Sequence, residues 1–98
     1  MQRRSTPMDR QETELLASEL ACNLGRKLRY LRAMRGWTQI ELARRAKMSR
    51  AYVGRLERGE VLPRYITLVR LAACLGVTPA ELVRTEARAD CNGSNEPQ

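Results

Sequence analysis

The sequence predicts an all-α protein: a compact bundle of five short helices with an additional helical extension at the N-terminus. Three observations carry this. Apolar residues recur at spacings of three and four rather than alternating, as they do on helices with one buried face. Helix-capping Thr and Ser and helix-stopping Gly fall at short intervals between these runs. The 98-residue chain has no Phe, one Trp and three Tyr. Its core therefore rests on Leu, Ile, Val, Met and Ala, which suits close-packed helices. The length allows one domain with one modest core.

Residues 1–9 (MQRRSTPMD) are polar, contain Pro7 and are expected to be disordered. From about Asp9 the run QETELLASELACNLGRKLRYLRAMR reads as helix, with Leu16, Leu20, Leu24, Leu28, Leu31 and Met34 on one face. Asn23-Leu24-Gly25 weakens it, since Gly in a helix interior costs about 1 kcal/mol. The reading splits the run into an N-terminal helix and a first core helix over about 22–35, with continuity between the two left open. Gly36-Trp37 forms a turn, and Thr38 caps a helix from Gln39 to Ala46, supported by Glu41 three residues on. Lys47-Met48 is a tight turn. Ser49 caps the next helix, which runs to about Arg58 and stops at Gly59. Glu60–Arg64, with Pro63, is a loop. Residues 65–75 (YITLVRLAACL) form the fourth helix, with Ile66, Leu68, Val69, Ala72 and Ala73 apolar, and Gly76 stops it. Thr78 caps the fifth, with Pro79 at its first position, Glu81 completing the cap, and Leu82 and Val83 apolar. The chain thus divides into a partly helical extension (1–21), a helical domain (22–84) and a polar, disorder-prone tail (85–98).

Charge distribution narrows the function. The net charge is +7, but residues 22–76 carry thirteen Lys and Arg against three acids, between weakly acidic flanks. Such a compact positive field points to a polyanion such as nucleic acid. The absence of His removes the commonest general base and metal ligand. Neither paired carboxylates in an apolar setting nor a phosphate-cradling glycine loop is present, so an enzyme is not expected. Cys22, Cys74 and Cys91 are too scattered for a zinc site. The first two read as small buried hydrophobes, and Cys91 as an exposed thiol in the tail. No stretch has the length of a signal-peptide core or a membrane span, so a cytoplasmic, nucleoid-associated protein is expected, with no cofactor or small-molecule ligand.

The informative segment is TQIELARRAKMSRAYVGRLERG, residues 38–59. Two short helices joined by a tight turn pack through Ile40, Ala43, Ala46, Val53 and Leu56. The second projects Arg50, Ala51, Tyr52, Gly54 and Arg55, and a helix of that size fits the major groove. Arginines near its start suit bidentate reading of guanine O6 and N7, or clamping of phosphates.

Residues 24–83 resemble the Cro and phage-repressor helix-turn-helix family, also called the xenobiotic-response-element (XRE) family. The matching pieces are LGRKLRYLRAMRGWTQIELA, SRAYVGRLERG and TLVRLAACLGVTPAELV. The Ala-Tyr-Val turn is similar to that of restriction–modification controller proteins. The resemblance implies a lambda-repressor-like fold that binds double-stranded DNA as a homodimer on a palindromic operator. It implies base contacts by Arg50, Ala51, Tyr52 and Arg55. Backbone contacts would come from Gln39, Ser49, Arg64 and Lys47, with Gln39 also bracing the recognition helix. It further implies a partly buried, structural ion pair between Arg32 and Glu57.

Two residues depart from the family pattern. Lys47 stands where Gly is usual, because the backbone there tends to be left-handed, at a cost on the order of 1 kcal/mol. Gly54 lies inside the recognition helix, either to allow close approach to DNA or as a tolerated weak spot. Arg44, Arg45 and Lys47 add general field, and Trp37 is expected to plug the core. The Leu15–Leu24 run either covers its own domain or pairs with a second subunit, and the fifth helix, with Leu82 and Val83, is the other candidate dimer surface. The competing reading is an antitoxin-like module that binds a protein partner and autoregulates its own operon.

Overall fold

The computed structural model describes residues 7–84. The expectations for residues 1–6, for the tail and for Cys91 lie outside this range. Five helices follow in order: α1 (Arg10–Met34), α2 (Gln39–Ala46), α3 (Arg50–Glu57), α4 (Tyr65–Leu75) and α5 (Pro79–Val83). Among the described residues there is no strand.

Local chemistry sets most of the boundaries. The Asp9, Thr38, Ser49 and Thr78 side chains each accept the amide three residues on, satisfying a donor that the first helical turn leaves unpaired. Asp9 and Thr78 do so within reciprocal capping boxes with Glu12 and Glu81. Glu41 does not close such a box with Thr38. Its carboxylate turns to Arg44 and Arg45, at 2.6 and 2.7 Å. Gly76 ends α4 at φ 74°, a left-handed conformation that costs glycine little.

α1 runs unbroken for 25 residues, so the split at residues 23–25 does not occur. Gly25 is a contact rather than a break. A Cβ there would lie 2.6 Å from the carbonyl oxygens of both Leu56 and Glu57, so only glycine lets α1 meet the end of α3 at this distance. The helix-propensity cost predicted from sequence is real, but the packing of α3 against α1 offsets it.

The core holds Leu24, Leu28, Leu42, Val53, Leu56, Leu71, Leu75 and Leu82, all fully buried. α3 packs against both α1 and α2, while α5 closes against α1 and α4. Several apolar assignments change. Ile40 is 62% exposed, because the buried stripe of α2 is Leu42, Ala43 and Ala46 and Ile40 lies well round the helix from it. On α4 the inward face is Leu68, Leu71, Ala72 and Leu75, leaving Ile66 and Ala73 outside. Met34 is exposed too. Cys22 and Cys74 are half-buried, and burial pushes the Cys74 thiol up.

The two candidate dimer surfaces fare differently. Leu82 is fully buried in its own domain and Val83 packs against the same core, so the apolar face of α5 is used internally. On α1 the leucine run divides. Leu24 and Ala21 are buried, but Leu15, Leu16 and Leu20 stay exposed on the first half of the helix.

Lys47 sits at φ 61°, ψ 52°, the only non-glycine residue with positive φ among those described. Replacing it with Gly removes the Cβ strain but makes the unfolded chain more flexible. Lys47→Gly is therefore expected to stabilise the fold by somewhat under about 1 kcal/mol. A lower urea midpoint for that variant would show that the strain at this turn is smaller than the flexibility Gly adds to the unfolded chain.

Candidate nucleic-acid interface

Residues 38–59 form the expected helix–turn–helix. Val53 and Leu56 anchor α3 in the core, leaving Arg50, Ala51, Arg55 and Arg58 exposed along its outer side. Ser49 and Lys47 are exposed at the preceding turn, and Ser49 Oγ accepts from the Tyr52 amide at 3.0 Å. Arg64 is exposed as the residue capping α4, where it makes no side-chain cap bond.

Two of the projected residues are placed differently. Tyr52 is half-buried and packs against the core cluster, so only part of it faces outward. Gly54 is buried, and a Cβ there would meet the Arg58 guanidinium at 3.1 Å and Gln39 Oε1 at 3.8 Å. Its openness serves the neighbouring side chains of α2 and α3, which sequence reasoning weighed only as approach to DNA or a weak spot.

A buried polar pin fixes the angle of α3. Arg32 donates Nε to Glu57 Oε2 at 2.7 Å and Nη2 to Glu57 Oε1 at 2.9 Å, a bidentate pair. Its Nη1 donates to the Trp37 carbonyl at 2.9 Å. Gln39 Nε2 donates to Glu57 Oε1, also at 2.9 Å. The Glu57 side chain is only 1% exposed, so these three donors replace its water. The hydrogen bond to Glu57 raises the Arg32 pKa above the usual arginine value, and the guanidinium stays charged. One carboxylate on α3 is thus tied to the end of α1 and the start of α2. The remaining Gln39 oxygen lies beside Gly54, at the edge of the α3 surface. Trp37 packs half-buried against the core with the Arg45 guanidinium 4.4 Å above its ring.

Two acids, the half-buried Glu41 and the exposed Glu60, hold most of the arginines around the motif. Glu41 pairs with Arg44 and Arg45 on α2. Glu60 lies 2.7 Å from Arg58 Nε and 3.9 Å from Arg55 Nε. The guanidiniums lower the pKa of both carboxylates, with Arg44 and Arg58 as the largest causes. The spacing of Glu41 from Arg44 and Arg45 is legible as helical i,i+3 and i,i+4 pairing. Sequence reasoning passed over Glu60, because its pairing depends on how the chain turns at Gly59. Among the described residues no group of His, Cys, Asp and Glu is placed to hold a metal ion, and no helix is long and apolar enough to cross a membrane.

Comparison with known proteins agrees with this geometry. The helix-turn-helix family HTH_3 matches residues 28–82. An uncharacterized HTH-type transcriptional regulator, y4dJ, from Sinorhizobium fredii is 43% identical over 60 residues, covering 61% of this chain and 78% of that protein. The immunity repressor protein of Bacillus phage phi105 is 33% identical over 63 residues, covering 64% of this chain but only 44% of the repressor. Among solved structures, the restriction–modification controller protein C.AhdI from Aeromonas hydrophila superposes with a TM-score of 0.61 at 35% identity. That match covers 63% of this chain and 94% of the controller. The chain therefore belongs to the HTH_3, XRE-type helix-turn-helix family of DNA-binding transcriptional regulators.

Proposed function

We propose that the protein is a homodimeric repressor or autoregulator that sets α3 into successive major grooves of a palindromic operator, with half-site centres about one helical turn apart. The observation that carries this is the outer side of α3. Arg50, Ala51 and Arg55 stand exposed on a helix pinned by Glu57 to both α1 and α2. In this reading Arg50 and Arg55 read base edges, with Ala51 and the exposed part of Tyr52 against thymine methyls. Gln39, Ser49, Lys47 and Arg64 hold the phosphate backbone. Regulation comes from concentration and dimerisation, in the cytoplasm. The dimer is proposed because one domain of this size covers too few base pairs for useful specificity.

Selection of bound duplexes from a randomised library at near-physiological salt tests this. An enriched palindrome is the expected result, and salt-sensitive binding with no enriched motif would overturn sequence-specific recognition. Against the selected site, Arg55→Ala is expected to relax preference at one or two base pairs, a loss of about 1–3 kcal/mol. Unchanged affinity and preference would remove Arg55 from the base-reading set.

A second reading, an antitoxin-like module, is favoured by one observation: Leu15, Leu16 and Leu20 form an uncovered apolar surface on the half of α1 that carries Glu12, Glu14 and Glu19. Copurification of a stoichiometric second protein, lost in a Leu16→Asp, Leu20→Asp variant that still binds DNA, would support it.

A further inference from the structure

We infer that Glu60 is a positioning residue that sets the DNA specificity of Arg55 and restrains non-selective binding by Arg58. The inference rests on the DNA-binding reading above and extends it to a residue that touches no base. Glu60 follows α3 across the turn at Gly59, and its amide donates to the Arg55 carbonyl at 3.0 Å, which seats it on the last turn of that helix. From there its two oxygens divide between two arginines. Oε2 accepts from Arg58 Nε at 2.7 Å, and Oε1 lies 3.9 Å from Arg55 Nε.

Both approaches are made from the Nε side of the guanidinium. An arginine reads guanine by presenting two parallel N–H groups to O6 and N7. With the carboxylate 3.9 Å from Nε, a charge contact and not a hydrogen bond, the Nη1 and Nη2 edge of Arg55 stays available for that fork, and the attraction favours this side-chain position before DNA arrives. Preorganisation of this kind lowers the ordering cost of binding.

The same carboxylate has a second effect. Non-specific binding depends almost wholly on how many phosphates the protein neutralises. Arg58 is 60% exposed and would otherwise add a full charge to that count. Glu60 cancels one charge at the rim of α3 and also repels phosphates directly. Its net effect is to weaken contacts that any duplex offers while favouring the one that requires a guanine.

Glu60 is 48% exposed and belongs to no buried network, so its substitution leaves the fold intact. Two variants separate its effects. Glu60→Gln removes the charge but keeps an acceptor, whereas Glu60→Ala removes both. Each is measured on the selected operator, on that operator with the guanine opposite Arg55 replaced, and on an unrelated duplex, across a salt series. Both variants are expected to bind the unrelated duplex more tightly, with the log–log salt slope steeper by about 0.9. Glu60→Ala is expected to lower discrimination for the guanine by roughly three- to tenfold, and Glu60→Gln by less. In an Arg55→Ala background the change in discrimination should vanish, which a merely structural role would not produce. Unchanged discrimination and slope in both variants would overturn the inference while leaving the DNA-binding reading in place. A wild-type protein that selects no motif would overturn that reading, and this inference with it.

Discussion

Arg32→Ala is expected to destabilise the fold by about 3–5 kcal/mol, the usual result of removing one partner from a buried ion pair. Glu57, whose side chain is 1% exposed with Arg32 in place, would be left with only Gln39 as a side-chain hydrogen-bond donor. The Trp37 carbonyl would lose its guanidinium partner as well. A domain of this size has about 5–15 kcal/mol of stability in total, so the melting temperature should fall by roughly 15 °C or more. Thermal denaturation followed by circular dichroism measures it. Arg32→Lys should recover only part of the loss, because an ammonium cannot make the two parallel bonds to Glu57. A loss below about 1 kcal/mol in Arg32→Ala would mean that Glu57 finds water or another donor, and that α3 is not held by this pin. The consequence for function follows from the same geometry. Glu57 lies on α3, the helix proposed to enter the major groove, so the variant should lose operator affinity even where it remains folded.

Gly25→Val is expected to cost about 3 kcal/mol or more. Any Cβ at this position falls 2.6 Å from two carbonyl oxygens, and both belong to main chain that cannot rotate aside. The helices must separate, which opens the contact between Leu24, Leu28 and Leu56 in the core. Gly25→Ala is the more discriminating variant. In an exposed helix that change would stabilise by about 1 kcal/mol. Here the clash outweighs the gain, and a net loss of about 2 kcal/mol is expected. Urea unfolding decides the sign, and a stabilised Gly25→Ala would mean that α3 can move away from α1 at little cost. Because α3 carries Arg50 and Arg55, its displacement should also weaken operator binding.

These two positions separate what is readable in a sequence from what is not. Helix starts at Thr38, Ser49 and Thr78 were legible because a cap is a contract between residues three apart. The left-handed turn at Lys47 and the pairing of Arg32 with Glu57 were legible through the resemblance to repressors, and the exposure of Arg50 and Arg55 through the helix pattern itself. Charge alone pointed to a polyanion. Chemistry carried within a few residues, or by composition, survives without knowledge of the fold.

The rest depended on residues far apart in the chain. Whether Gly25 breaks a helix was decided by Leu56 and Glu57, which reach it only after the chain has turned twice. Ile40 and Ile66 look like core residues from their type, yet the directions of neighbouring helices leave them in solvent. The fifth helix offered Leu82 as a dimer surface until α1 and α4 enclosed it, while Leu15, Leu16 and Leu20 remained uncovered. Gly54 proved to accommodate Arg58 and Gln39, and Glu60 acquired its arginines through the turn at Gly59. The sequence alone determined the starts of the later helices, their caps and the sign of the ligand, because those depend on local bonding and total charge. Tertiary structure decided which faces were buried and where each arginine was aimed, because close packing is settled between surfaces brought together only by folding.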